Sequence, residues 1–209
     1  MIISVLFLAV SSSLAPKAVD AQSDLSPPEF IVEEVRSFGS ACPEGTLDVY
    51  SSSGRLMINT NTPELVIGPG ISARYSRSNC LINLRIPAND TWQFSLNSFA
   101  FDRTLELDEG LRADVRLKTY VAYLYPDTTF TDTVFGPIFT EGTSENDLGI
   151  EQGFWSPCGR DFTYNISLAY SLKRVSRREH RGAEGFMQLG GGDLSSHRFG
   201  LSWRKCTTR

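Results

Sequence analysis

The sequence predicts an all-β protein, an antiparallel β-sandwich stabilised by two disulfides, and three observations predict it. Short runs rich in Val, Ile, Leu, Phe and Tyr alternate with clusters of Gly, Pro, Asn, Asp and Ser, which is how strands and turns are written. Apolar residues seldom recur at the three- and four-residue spacing of a helix. Four cysteines, Cys42, Cys80, Cys158 and Cys206, all follow an N-terminal stretch typical of exported chains. An even count in an oxidising compartment favours two disulfides, and the residues themselves leave three pairings open.

Taken in order, residues 1–21 read as a secretory signal peptide. The apolar run Ile2–Val10 is too short to span a bilayer, and Val19-Asp20-Ala21 offers compact residues at a cleavage point. The mature chain then starts near Gln22 and is secreted to the extracellular space. Residues 22–36 form a Pro-containing N-terminal leader, expected to lie loose or to pack as an extended arm. A single β-sandwich domain is expected over 37–209, with strands at 46–50, 55–60, 80–87, 92–107, 113–125, 162–174 and 197–206.

The run at 162–174 shows the pattern most plainly. Phe162, Tyr164, Ile166, Leu168, Tyr170 and Leu172 fall on one side of an extended strand, and Thr163, Asn165, Ser167, Ala169, Ser171 and Lys173 on the other. One face is expected in the core and the other in water. Val115, Leu117, Thr119, Val121, Tyr123 and Tyr125 repeat the pattern, and several such strands pack as two sheets. Asn89 and Asn165 begin glycosylation sequons, Asn89 in a turn and Asn165 on the expected wet face.

Composition narrows the function. The chain has 209 residues, 41% hydrophobic and 21% charged, with a formal net charge of −4, so one globular domain is the expectation and a dedicated nucleic-acid binder is not. No second apolar run approaches membrane-spanning length. No cofactor motif is present: Gly68-Pro69-Gly70 lacks the Lys-Ser/Thr and helix of a phosphate loop, and Gly190-Gly191-Gly192 reads as a turn. The cysteines lack zinc spacing, so no metal site is expected.

The candidates for chemistry are few. His180 and His197 are the two histidines, and neither accompanies a nucleophile elbow. Glu106, Asp108, Glu109 and Asp114 flank a Gly turn and could in principle supply the carboxylate pair of a polysaccharide hydrolase, although carboxylates at such turns are ordinarily solvated. Lys173, Arg174, Arg177, Arg178 and Arg181 crowd positive charge onto one loop and form a candidate polyanion-binding site; a solvated loop is the competing reading. Trp92, Trp155 and Trp203, with Tyr120, Tyr123 and Tyr125, offer rings for a ligand, but burial is expected, with Trp155 and Trp203 packed on disulfides three residues on.

The motifs Gly39-Ser40-Ala41-Cys42-Pro43-Glu44-Gly45, Ile67-Gly68-Pro69-Gly70 and Ser76-Arg77-Ser78-Asn79-Cys80, followed by Trp155-Ser156-Pro157-Cys158-Gly159 and Leu201-Ser202-Trp203-Arg204-Lys205-Cys206, resemble a secreted fungal and bacterial family known as domain of unknown function 4360. The resemblance spans about residues 37–206 and implies a disulfide-bonded all-β module with Cys42 joined to Cys80 and Cys158 to Cys206. It brings no activity with it. Departures from the family pattern are a more basic 174–193 and Phe101-Asp102-Arg103 after the central strand. The sequence therefore points to a non-enzymatic binding module at a cell surface, wall or host interface, whose partner is a cell-wall polymer, a glycan or an extracellular protein. An extracellular hydrolase and a passive wall or matrix component are the alternatives.

Overall fold

The computed structural model describes residues 27–61, 64–71, 75–121, 127–149, 154–175, 180–190 and 194–207. The expected signal peptide, the start of the leader, Tyr123, Tyr125, Arg177 and Arg178 lie outside the described residues. Within them there is no helix. Twelve strands run in order: β1 (Glu34–Phe38), β2 (Asp48–Ser52), β3 (Arg55–Asn61), β4 (Glu64–Ile67), β5 (Tyr75–Ile86), β6 (Trp92–Leu107), β7 (Leu111–Val121), β8 (Thr128–Phe135), β9 (Ile138–Asp147), β10 (Phe162–Arg174), β11 (Gly185–Leu189) and β12 (Leu194–Lys205).

They build two antiparallel sheets packed face to face. The five-stranded sheet has the order β1-β5-β10-β7-β8, and the seven-stranded sheet has the order β2-β3-β12-β6-β11-β4 with β9 also on β6. The expected alternation on β10 is what the fold uses: Tyr164, Ile166, Leu168, Tyr170 and Leu172 are all buried, as are Val115, Leu117, Thr119 and Val121 of β7. Facing them are Leu56 and Ile58 of β3, Phe99, Phe101 and Leu105 of β6, and Phe199 of β12. Burying these side chains supplies the main driving force, about 1.5–3 kcal/mol for each large one.

A fully buried polar contact joins the sheets through this core. The Tyr170 hydroxyl of β10 and the Nε2 of His197 of β12 lie 2.8 Å apart, with both residues at most 1% exposed. The His197 ring stacks on Phe99 at 6.0 Å, and Phe99 stacks on Phe199 at 5.0 Å. Burial pushes the Tyr170 phenol well above its ordinary value and Tyr164 up to about 12, so both stay protonated and able to donate.

Two disulfides, Cys42–Cys80 and Cys158–Cys206, join the pairs implied by the family resemblance. The first fastens the loop after β1 onto β5. Its approach is close: Gly39 has φ +130°, and a Cβ there would sit 2.2 Å from the Asn79 carbonyl oxygen, so only glycine fits. The second fastens the segment before β10 to the end of β12. There Ser156 is clamped to β6, its N–H donating to the Phe94 carbonyl at 2.8 Å and its Oγ accepting from the Phe94 N–H at 2.9 Å. Closing loops of 38 and 48 residues restricts the unfolded chain by about 4 kcal/mol each in the entropic description.

Several elements differ from expectation. Of the two expectations for the leader, the packed extended arm is what the described part shows: Phe30 is buried against Phe94, with ring centroids 4.8 Å apart, and Glu34–Phe38 pairs with β5, so the folded body begins before residue 37. Strands β1, β4, β8, β9 and β11 have no counterpart in the sequence reading. Four of them are short or polar, and β9 (IFTEGTSEND) has mostly exposed residues with a glycine at its centre. His197, expected near a strand start, is internal because β12 begins at Leu194.

Replacing Tyr170 with Phe leaves His197 Nε2 without its phenol partner, and the expected outcome is a loss of about 1–3 kcal/mol in urea unfolding with the sheet dichroism unchanged. Cys158→Ser with Cys206→Ser is expected to lower stability by about 2–4 kcal/mol, read as a shift in the denaturant midpoint.

Candidate functional site

The outer face of the five-stranded sheet carries the candidate site. Strand β10 is its centre, and its outward residues are small: Ser167, Ala169 and Ser171 follow Thr163 and Asn165. The neighbouring strands set long side chains beside them. In register, Asn165 lies between Asn83 and Tyr120, Ser167 between Leu81 and Lys118, Ala169 between Asn79 and Arg116, and Ser171 between Arg77 and Asp114. Small residues on a central strand between larger ones on both flanks make a shallow trough along β10, about 26 Å from Thr163 to Ser171 at the rise of an extended strand. It opens at the Thr163 end into a depression of about 390 Å³ lined by Glu34, Arg36, Asn83, Arg85, Thr163 and Asn165.

The charges on this face are ordered. Arg36 pairs with Glu34 at 2.6 Å, and Arg85 with Glu33 and Asp161 at 3.3 and 3.5 Å. Lys118 pairs with Asp127. Asp114 receives Arg112 at 2.9 Å, Lys173 at 3.0 Å and the hydroxyls of Thr133 and Ser171. Burial raises the Asp114 carboxyl, but the hydrogen bonds from Lys173 and Arg112 outweigh it and hold the group below the usual carboxylate range. On the other sheet Asp102 is lowered by its hydrogen bonds from Arg198, against the opposing effect of burial. Arg77 and Arg116 face no carboxylate within salt-bridge distance among the described residues. Cations also cap rings here, with Arg77 over Tyr75 and Lys118 over Tyr120 at 5.7 Å, and Arg112 over Phe135 at 5.9 Å.

The sequence candidates are distributed differently from their spacing along the chain. Of the basic loop, Lys173 stands on this sheet face, Arg181 is exposed elsewhere, and Arg174 turns to hold the carbonyls of Gly68 and Ala183, both at 3.3 Å. The acidic turn splits. Glu106 and Asp108 line a separate cleft of about 400 Å³ with Glu184, Val66, Ile71 and Phe186, whereas Asp114 belongs to the trough. In that cleft Asp108 is committed to the backbone, its carboxylate accepting from the Glu184 N–H at 2.7 Å. His180 packs over Gly110, far in role from His197 in the core. Among the described residues no group of three His, Cys, Asp or Glu side chains is placed to hold a metal ion. No helix there is long and apolar enough to cross a membrane.

Expected burial of the tryptophans is corrected. Trp92, Trp155 and Trp203 are half-buried: Trp203 packs on Phe94 at 5.8 Å, while Arg204 covers Trp155 at 4.2 Å and Lys205 covers Trp92 at 5.5 Å. Tyr120 lies on the outer face. The sequon residues differ too. Asn165 faces outward as expected, but it is 5% exposed, because Asn83 donates to its Oδ1 at 2.5 Å and its own Nδ2 donates to the carbonyls of Tyr120 and Thr163. Asn89 keeps Nδ2 clear and uses only Oδ1, which accepts from the Thr91 and Trp92 N–H groups at 3.0 and 2.7 Å. What sequence reasoning missed is the trough, since it needs the register of three strands; the run of small residues on alternate positions of β10 was its one legible sign.

A family described as "Domain of unknown function (DUF4360)" matches residues 28–206, and the chain belongs to it. A curated relative, an "Uncharacterized secreted protein" of Arthroderma benhamiae, is 26% identical over 172 residues, covering 81% of this chain and 69% of the relative. Among solved structures, TmCBM61 in complex with β-1,4-galactotriose matches 80% of this chain and 89% of its own at 12% identity and a TM-score of 0.23. The loop-swap mutant of Necallimastix patriciarum Xyn11A matches 81% and 100% at 7% identity and a TM-score of 0.21.

Two outcomes follow from this geometry. Expressed through a eukaryotic secretory pathway, the folded protein is expected to carry glycan at Asn89 and none at Asn165, read by peptide mass spectrometry with and without glycosidase. Because Asp102 and Asp114 have lowered carboxyls in the folded state, their contribution is full above the unfolded value of about 3.9 and is lost as pH falls through the folded values. Thermal unfolding should therefore lose stability below about pH 4, less so in Asp114→Asn with Asp102→Asn.

Proposed function

We propose that this family member is a secreted, non-enzymatic binding module that lays the trough along β10 against an extended extracellular polymer such as a wall polysaccharide. The observation that carries this reading is the register of small outward residues on β10 between larger, mostly polar ones on β5 and β7. A groove of that shape takes a chain lengthwise, and its walls present amides, guanidiniums and ring edges, the groups that recognise hydroxylated or charged polymers. Secretion is supported by the description of the fungal relative and by two disulfides, which persist in oxidising compartments. Binding without chemistry is supported by what the carboxylates do: Asp114 is saturated by Arg112 and Lys173, and Asp108 is held by a backbone amide.

Filling the trough tests the reading directly. Ser167→Trp places a large ring on the outer face without touching the core, so folding should persist while retention on wall-polymer columns falls by about tenfold or more, equivalent to at least about 1.4 kcal/mol. Retention equal to the parent protein would remove the trough from the site. Release of sugars by the parent protein would replace binding with hydrolysis.

A further inference from the structure

Resting on the trough reading, we infer that the polymer is polyanionic, a polysaccharide bearing carboxylates or sulfates, and that Arg77 and Arg116 contact its charges. The two arginines stand on opposite walls. Arg116 on β7 is level with Ala169, and Arg77 on β5 is level with Ser171, so a strand lying on that floor passes between two guanidiniums offset by one outward position. Both residues are exposed, and both lack a carboxylate partner among the described residues, in contrast to Arg36, Arg85, Arg112, Lys118 and Lys173. A guanidinium held on a rigid strand presents paired N–H donors that match the two oxygens of a carboxylate or sulfate. Desolvating two unpaired arginines under a neutral chain would cost stability with nothing in return.

The shape favours a polysaccharide over an anionic lipid surface. These arginines stand on two different strands with Ala169 and Ser171 between them, a spacing that a single extended chain can follow lengthwise. The face also sets rings among the cations, with Arg77 over Tyr75 and Lys118 over Tyr120, which suits a ligand that alternates flat apolar faces with charged groups.

Binding would be measured by affinity electrophoresis and calorimetry with polygalacturonate, dextran sulfate and neutral dextran, and by sedimentation with vesicles rich in phosphatidylserine. The proteins are the parent, Arg77→Gln with Arg116→Gln, Arg77→Lys with Arg116→Lys, Ser167→Trp, and Arg55→Gln on the opposite sheet as a control. The expected result is binding to one or both charged polymers that weakens with salt, falls about tenfold or more in the Gln pair, recovers in part in the Lys pair and is unchanged in Arg55→Gln. Polygalacturonate alone would identify carboxylate as the recognised group, and dextran sulfate alone would identify sulfate. Equal binding of neutral dextran, or a Gln pair that binds like the parent while Ser167→Trp does not, would overturn the charge inference and leave the trough standing. Charged-polymer binding unaffected by Ser167→Trp would overturn both. Binding to vesicles with no binding to soluble polymers would overturn the inference in favour of a lipid surface.

Discussion

The pleat of β10 is the constraint on which the molecule depends. Successive side chains of an extended strand point to opposite faces, and this strand lies in the middle of its sheet, paired with β5 along twelve positions and with β7 along eleven. Its even-numbered residues fill the sandwich and its odd-numbered ones floor the trough. A slip of one residue would carry Tyr164, Ile166 and Leu168 into water and put Asn165, Ser167 and Lys173 into the core. Core and candidate site are thus one decision, made once by the register of one strand.

Register on that scale is pinned at more than one level. The Tyr170–His197 hydrogen bond is directional and lies where no water competes, so it scores one alignment of the two sheets above its neighbours. Apolar packing by itself tolerates rearrangement; a buried phenol and imidazole do not, because each misplaced polar group would go unsatisfied. The disulfides act at the margins. Cys80 is level with Leu168 of β10 and so ties the loop after β1 to the same strand, while Cys158 and Cys206 close the end where Phe30, Phe94 and Trp203 meet. That aromatic end explains why the chain before residue 37 belongs to the fold: without Phe30, the Phe94 ring would lose its edge-to-face neighbour.

How much of this was legible in the sequence depended on how strongly each residue's surroundings echo its neighbours along the chain. Strands β6 and β10 coincide with the sequence reading to the residue, because both are long and mix large apolar side chains with turn residues at each end. Strand β8 (TTFTDTVF) alternates too, yet its exposed threonines weaken the signal, and β9 covers a sheet edge with residues that read as loop. The disulfide pairs were legible through family resemblance and not through spacing. Within the site, Lys173 was named for the right face by its place on β10, but its neighbour Arg174 was grouped with it by proximity along the chain, and the pleat sends that side chain to the Gly68 and Ala183 carbonyls instead. Asp114 was grouped with Glu106 and Asp108 for the same reason and parted from them by the same turn. Arg77 and Arg116 lie 39 residues apart and meet only across β10, so no local pattern could have joined them.

Charge distribution gives the trough face its direction. The face of the five-stranded sheet carries Arg36, Arg77, Arg85, Arg112, Arg116, Lys118 and Lys173 against Glu34 and Asp114 at outward strand positions and against Glu33, Asp127 and Asp161 as salt-bridge partners, an excess of two positive charges. The chain as a whole carries −4, so the rest of the molecule holds six negative charges in excess of its positive ones. A net-acidic protein would be repelled by an anionic polymer if its charge were spread evenly. Segregated in this way, the excess positive charge favours an approach that presents the trough face to an anion. The rim pairs moderate the face without cancelling it, since salt bridges exposed to solvent screen charge at modest gain and open readily when a stronger partner arrives. Arg77 and Arg116 need no such exchange. They sit where the screened rim ends and the small-residue floor begins, which places the unsatisfied charge of the face within reach of whatever lies along β10.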